Sequence, residues 1–213
     1  MSECGDADEK VFSAEEATAL ITTIRQQRQA FAYGVEGIHT LFSTGTTDSM
    51  KPLATAHIDD LVHSSWLLSR QVKMNTALQQ AALNGLAIQL LVAVHGAIEE
   101  YDAGEQWMDD NEKHPVFVFL RRIRNGAAHG NKVDDQLINL PGEWRGFSFV
   151  DEMRGTRVFA QPETFAYDLS TVNMEAGVLE VGDALVLIDD VLYELVTETE
   201  VIEPDQVQWI IDR

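Results

Sequence analysis

Basic residues are scarce in this chain. Its 213 residues carry 35 Asp and Glu against 15 Lys and Arg, for a formal charge of −20, and only five of those fifteen are lysine. A surface of that sign repels a phosphate backbone, so a nucleic-acid partner would need a local basic patch rather than a broad face. Few lysines with carboxylates spread over most of the chain suggest a halophilic protein working at very high salt, where screening lengths shrink to roughly 3 Å at 1 M. Cysteine is nearly absent. Cys4 stands alone, which excludes an intramolecular disulfide, removes the ligands for a thiolate metal cluster and points to a reducing compartment. Also missing are a phosphate-cradling glycine loop ending in Lys, a serine elbow and a dinucleotide-binding fingerprint, which argues against kinases, hydrolases of the elbow type and NAD enzymes. The N-terminus "MSECGDADEK" has neither the basic nor the apolar region of a secretory signal, so the expectation is a cytoplasmic protein.

What is present is a globular composition, 45% hydrophobic and 23% charged, with helical periodicity over most of its length. Ser13 and Glu16 stand in capping-box spacing ahead of Leu20, Ile24, Phe31, Val35 and Ile38, which predicts a long first helix, loosened at Gly34 and Gly37. Ile58, Leu61, Val62 and Trp66 suggest a second helix. The uncharged stretch "MNTALQQAALNGLAIQLLVAVHGAI", residues 74–98, includes two asparagines, three glutamines and a histidine. It reads as a buried central helix or a subunit interface rather than a membrane span. Pro115 suits the first turn of the next helix, with Val116, Phe119, Leu120, Ile123 and Ala127 facing the core. Beyond residue 133, "WRGFSFVDEMRGTRVFAQ" reads as two short strands around a polar turn, and Leu185, Ile188, Leu192 and Leu195 mark a final helix. The expected fold is mostly α: an antiparallel helical bundle with a small C-terminal β-hairpin and a final helix. An acidic tail covers 1–11, the helical core 12–132, and the hairpin and acidic helix of 133–213 pack on that core as part of one domain.

One stretch runs against the composition. Residues 113–132 hold Lys113, Arg121, Arg122, Arg124 and Lys132, with His114 and His129 and no carboxylate. The window is +5, which leaves −25 on the other 193 residues. Such an island needs an anionic ligand or carboxylates from elsewhere in the fold. On an ideal helix Arg122, Asn125 and His129 fall within a stripe roughly 60° wide, opposite Phe119, Ile123 and Ala127. Arg124 lies roughly 140° from His129 on that wheel, and Gly126 and Gly130 offer places for the backbone to depart from it. His57 and His63 lack the spacing of two ligands on one helix face, so neither a metal nor another cofactor is expected.

"RNGAAH", Arg124 to His129, resembles the signature of the HEPN superfamily: arginine, a polar residue, a short gap and histidine, often followed by glycine, here Gly130. The resemblance extends to the helical arrangement of roughly residues 12–132 and not to the strands or the last helix. It implies a metal-independent endoribonuclease in a toxin–antitoxin or antiviral-defence role, acting as a homodimer that brings two motifs into one cleft, with an antitoxin or partner protein a further possibility. It also implies roles. His129 would take the proton from a ribose 2′-hydroxyl, Arg124 would stabilise charge on the phosphate, and Asn125 would position the backbone or the histidine. Arg121, Arg122 and Lys132 would bind RNA. Two other readings stand beside it. A non-catalytic HEPN-like module could bind nucleotide, RNA or a partner protein through the same face. Alternatively, "RNGAAHG" is only a helix C-terminus, with His129 on the dipole, Gly130 as cap, and the arginines paired with Asp109, Asp110, Asp134 or Asp135.

Overall fold

The computed structural model describes residues 10–44, 55–58, 61–64, 76–139, 143–162 and 174–201. Helix α1, Ala14–Thr44, starts where the capping box places it. The Ser13 N–H donates to Glu16 Oε2 at 2.8 Å and the Glu16 N–H to Ser13 Oγ at 3.3 Å. The Ser13 N–H, together with the Ser13 hydroxyl that also donates to Glu16 Oε2, holds the Glu16 carboxyl below its ordinary pKa. The helix runs through Gly34 and Gly37 without a break.

The uncharged stretch forms α2, Thr76–Glu99. It is long and apolar enough to cross a membrane by length and composition, and it packs mainly against α1, α4 (Pro115–Ala128) and α6 (Val181–Thr199). Leu90, Leu91, Val94 and Ile98 are buried there. The acidic connection contains a short helix of its own, α3, Asp102–Trp107. Its Trp107 is buried with its ring edge-on to Phe12 at 4.9 Å and Phe117 at 5.2 Å, and stacked on His114 at 4.0 Å. His114 Nδ1 lies 2.9 Å from Glu194 Oε1, which ties the start of α4 to α6. Pro115 occupies the first turn of α4, where its missing N–H costs nothing.

The C-terminal region is core rather than appendage. Helix α6 buries Leu187, Ile188, Val191, Leu192, Leu195 and Val196 against α1, α2 and α4. Arg28 of α1 reaches Asp189 with two bonds of 2.5 and 2.9 Å. Asp190 accepts from the Trp144 indole at 2.9 Å and from Arg145 at 2.6 and 2.7 Å. Trp144 stacks on Phe119, so this tryptophan and arginine serve packing.

Two expectations change. Ile58, Leu61 and Val62 are not helical: β1, Thr55–Ile58, and β2, Leu61–Ser64, pair antiparallel with His57 opposite Val62. Three apolar positions are too few to fix a helical period, and β-branched Thr55, Ile58 and Val62 favour a pleated backbone. Trp66 and the side chains of His57 and His63 lie outside what is described. The hairpin expected across 144–161 is also replaced. Trp144 and Phe147 form only an isolated bridge, a 3-10 turn follows at Asp151–Met153, and β3, Arg157–Phe159, pairs in parallel with β6, Gly177–Leu179. Beside it β4, Gln161–Pro162, pairs antiparallel with β5, Met174–Glu175. Alternation identifies a strand but not its partner, and here the partner is distant in sequence. The fold is mostly α with these small strand pairs and a final helix.

Candidate functional site

Helix α4 carries the motif at its C-terminal end. Its inner face, Phe117, Phe119, Leu120, Ile123 and Ala127, is buried, which leaves Arg121, Arg122, Arg124 and Asn125 half-buried at its margins. The Arg124 Nη1 donates to Asn125 Oδ1 at 2.8 Å, and the His129 N–H donates to the Asn125 carbonyl at 2.9 Å. Asn125 therefore touches both partners, one through its side chain and one through its backbone. His129 caps the helix with an exposed ring, and Gly130 follows at φ 118°. A side chain at that φ would be strained, so glycine suits the exit from the helix. Among the described residues no hydrogen bond joins the His129 ring to the side chain of Arg124 or Asn125. Within one copy the three are neighbours along the helix end rather than a bonded triad.

The carboxylates that were expected to neutralise the arginines are mostly committed elsewhere. Arg121 pairs with Asp109, so it is not a free cation for RNA. Asp110 accepts from the N–H groups of Glu112 and Lys113, each at 3.1 Å. Asp134 caps α5, Asp135–Ile138, through Gln136 and Leu137, and Asp135 pairs with Arg154. Arg122 has only a 3.4 Å contact to the Gln136 amide. Among the described residues Arg122, Arg124 and Lys132 form no ion pair. In a chain with more than twice as many acids as bases, while Arg28, Arg121, Arg145, Arg154 and Arg157 all have carboxylate partners, that is a local exception.

The residues that follow the motif are pinned by β3. Asn131 is 7% exposed and sits at φ 52°. Its Nδ2 donates to the Phe159 carbonyl at 2.6 Å and its Oδ1 accepts from the Phe159 N–H at 2.9 Å. The Val158 N–H donates to the Asn131 carbonyl at 3.2 Å. Arg157, held by Glu175 at 2.6 Å, reaches the Gly130 carbonyl at 3.2 Å. Gly126 fits beneath, since a Cβ there would come within 2.6 Å of Leu137 and 3.3 Å of the Lys132 carbonyl. Asn131, Arg157 and Glu175 were not among the expected site residues. Asparagine after a helix-ending glycine was the available sign of a left-handed position.

Among the described residues no cluster of three His, Cys, Asp or Glu is placed to hold a metal ion. A groove between α1 and α2, lined by Gln27, Phe31, Leu86, Gln89 and Leu90 among others, has no titratable group in its lining. Its α2 residues lie roughly 120–180° around that helix from His95, whose ring feels the charges of Arg121 and Arg124. No protein-family model, curated protein or solved structure matches this chain.

Proposed function

We propose that this protein is a metal-independent endoribonuclease of HEPN type, working as a homodimer in a toxin–antitoxin or defence setting. The observation that carries the reading is the unneutralised pair Arg122 and Arg124 beside an exposed His129, with Lys132 just beyond, on an otherwise strongly acidic chain. A cation half-withdrawn from water among surplus carboxylates is an attractive place for a phosphate. The chemistry follows from the groups. The His129 imidazole takes the 2′-hydroxyl proton, and the ribose oxygen attacks the adjacent phosphorus. The P–O5′ bond breaks, leaving a 2′,3′-cyclic phosphate and a 5′-hydroxyl after that oxygen takes up a proton. Arg124 stabilises charge on the non-bridging oxygens, and Asn125 holds its guanidinium from one side. In-line displacement needs proton-transfer groups on opposite faces of the phosphorus, and a second copy of His129 would supply the other.

The lack of a bond from the His129 ring to the Arg124 or Asn125 side chain within one copy favours a second reading, a non-catalytic module that binds nucleotide, RNA or a partner protein. Mixed-sequence, end-labelled RNA incubated with wild type and His129→Ala in chelator and high salt tells them apart. Cleavage that depends on His129 is expected. Retention of RNA by both proteins without cleavage would mean the binding module.

A further inference from the structure

A buried histidine on the helix packed against α4 lies within electrostatic reach of the same arginine. His95 lies in the last turn of α2, 1% exposed, on a helix that packs along α4. Its Nδ1 is 3.1 Å from Glu99 Oε2, one turn on, but the approach is out of line. Among the described residues neither ring nitrogen has a well-formed hydrogen bond. The Arg124 Nε is also buried, and it too is without a partner among the described residues. Buried polar atoms almost always find partners, so two such groups on facing helices call for a common explanation.

Their chemistry is complementary. With Nδ1–H turned to Glu99, the other ring nitrogen of a neutral imidazole is an acceptor, and the Arg124 Nε–H is a donor. The charged groups that act on the ring are Glu99 from its own helix and Arg124 and Arg121 from α4. Burial holds its pKa below the ordinary histidine value, Glu99 opposes that, and the two guanidinium charges add to it. A neutral, accepting ring beside a permanent cation is the consistent state.

We infer that His95, steadied by Glu99, is a positioning residue for Arg124: its Nε2 accepts, through one bridging water, from the Arg124 Nε–H. With Asn125 holding Nη1, the guanidinium would then be fixed at two points. Three of its five N–H groups, one on Nη1 and two on Nη2, would stay available to a phosphate. The phosphate rests on the ribonuclease reading; the link between His95 and Arg124 does not.

The test therefore has two readouts. Long-range proton–nitrogen NMR of full-length protein labelled in histidine reads the tautomer and bonding of His95 in wild type and Arg124→Gln. The Nδ1–H tautomer is expected in wild type, with a hydrogen-bonded Nε2 that loses its partner in Arg124→Gln, and the ring should protonate at higher pH in the variant. In parallel, RNA cleavage and thermal midpoints are measured for wild type, His95→Phe, which keeps a ring without nitrogens, and His95→Gln, whose amide oxygen replaces the acceptor. His95→Phe should hold its thermal midpoint and lose roughly ten- to hundred-fold in kcat with little change in KM, while His95→Gln recovers part of that loss. An Nε2 resonance unchanged by Arg124→Gln overturns the inference whatever the cleavage assay gives. Wild-type turnover retained by folded His95→Phe overturns it too. A responsive Nε2 in a wild type that does not cleave RNA removes the ribonuclease reading and leaves the His95–Arg124 link standing.

Discussion

Replacing Asn131 by alanine should destabilise the protein far more than a loop substitution ordinarily does. The side chain satisfies both the N–H and the carbonyl of Phe159, at 2.9 and 2.6 Å, in a position 7% exposed. Alanine leaves both groups buried and unpaired at about 1–3 kcal/mol each. It also places a residue without a local hydrogen-bonding side chain at φ 52°, adding about 1 kcal/mol. The sum is about 3–5 kcal/mol once water relieves part of the exposure, or a fall of roughly 6–20 °C in thermal midpoint for a chain of this size. Asn131→Gly loses the same bonds but tolerates the backbone, so it should recover about 1 kcal/mol relative to alanine. Urea unfolding of wild type and the two variants at one salt concentration gives the numbers. A loss below about 1 kcal/mol for alanine, no more than an ordinary substitution, would refute the claim that Asn131 pins the motif loop to β3. Equal losses for alanine and glycine would refute the backbone part alone.

Trp107→Ala removes a buried ring that contacts Phe12, His114 and Phe117. It should cost about 3–5 kcal/mol in denaturant unfolding. His95 gives a pH signature. Its folded pKa is lowered, so below about pH 6.5 the unfolded chain takes up a proton that the folded ring resists, and stability falls with pH. Above that value the ring is neutral in both states and contributes no slope. Thermal midpoints from pH 7.5 down to 5 should drop less steeply in His95→Phe than in wild type, and parallel curves would contradict the assignment. Arg124→Ala should lower RNA cleavage by about a hundred-fold or more, whereas Arg121→Ala, whose guanidinium is already paired with Asp109, should change it only a few-fold. Equal effects would mean that charge alone matters.

The helices were legible because each carries its own punctuation. Ser13 with Glu16 and Pro115 mark starts, and the apolar periods of residues 83–98 and 185–195 lie within α2 and α6. The strands were less legible for physical reasons. At residues 55–64 three apolar positions fitted either period, and β-branched content decided for a ribbon. At 157–159 the pattern named a strand, yet its parallel partner at 177–179 follows a separation that no local signal encodes. The site divides the same way. Local sequence placed Arg124, Asn125 and His129 at a helix end, and the wheel put Arg124 and His129 on different faces, consistent with the lack of a bond between their side chains. It also offered Asp109 among the carboxylates for the arginines, and Arg121 takes it. What it did not give were the other tertiary partners: Phe159 on Asn131, Arg157 on Gly130, and His95 on the facing helix. The structure buries His95 and leaves its nitrogens without well-formed bonds among the described residues, which nothing in the local sequence signals.

The central claim is that His129 and Arg124 carry out attack by a ribose 2′-hydroxyl. The most direct measurement is the mass of the new ends when purified protein in chelator meets an RNA and its copy with one 2′-deoxy nucleotide at the cleaved position. The account predicts 2′,3′-cyclic phosphate and 5′-hydroxyl ends from the first, no cleavage at that position in the second, and loss of both products in His129→Ala. Intact RNA with folded wild type across salt and pH, or cleavage that survives His129→Ala, would contradict it.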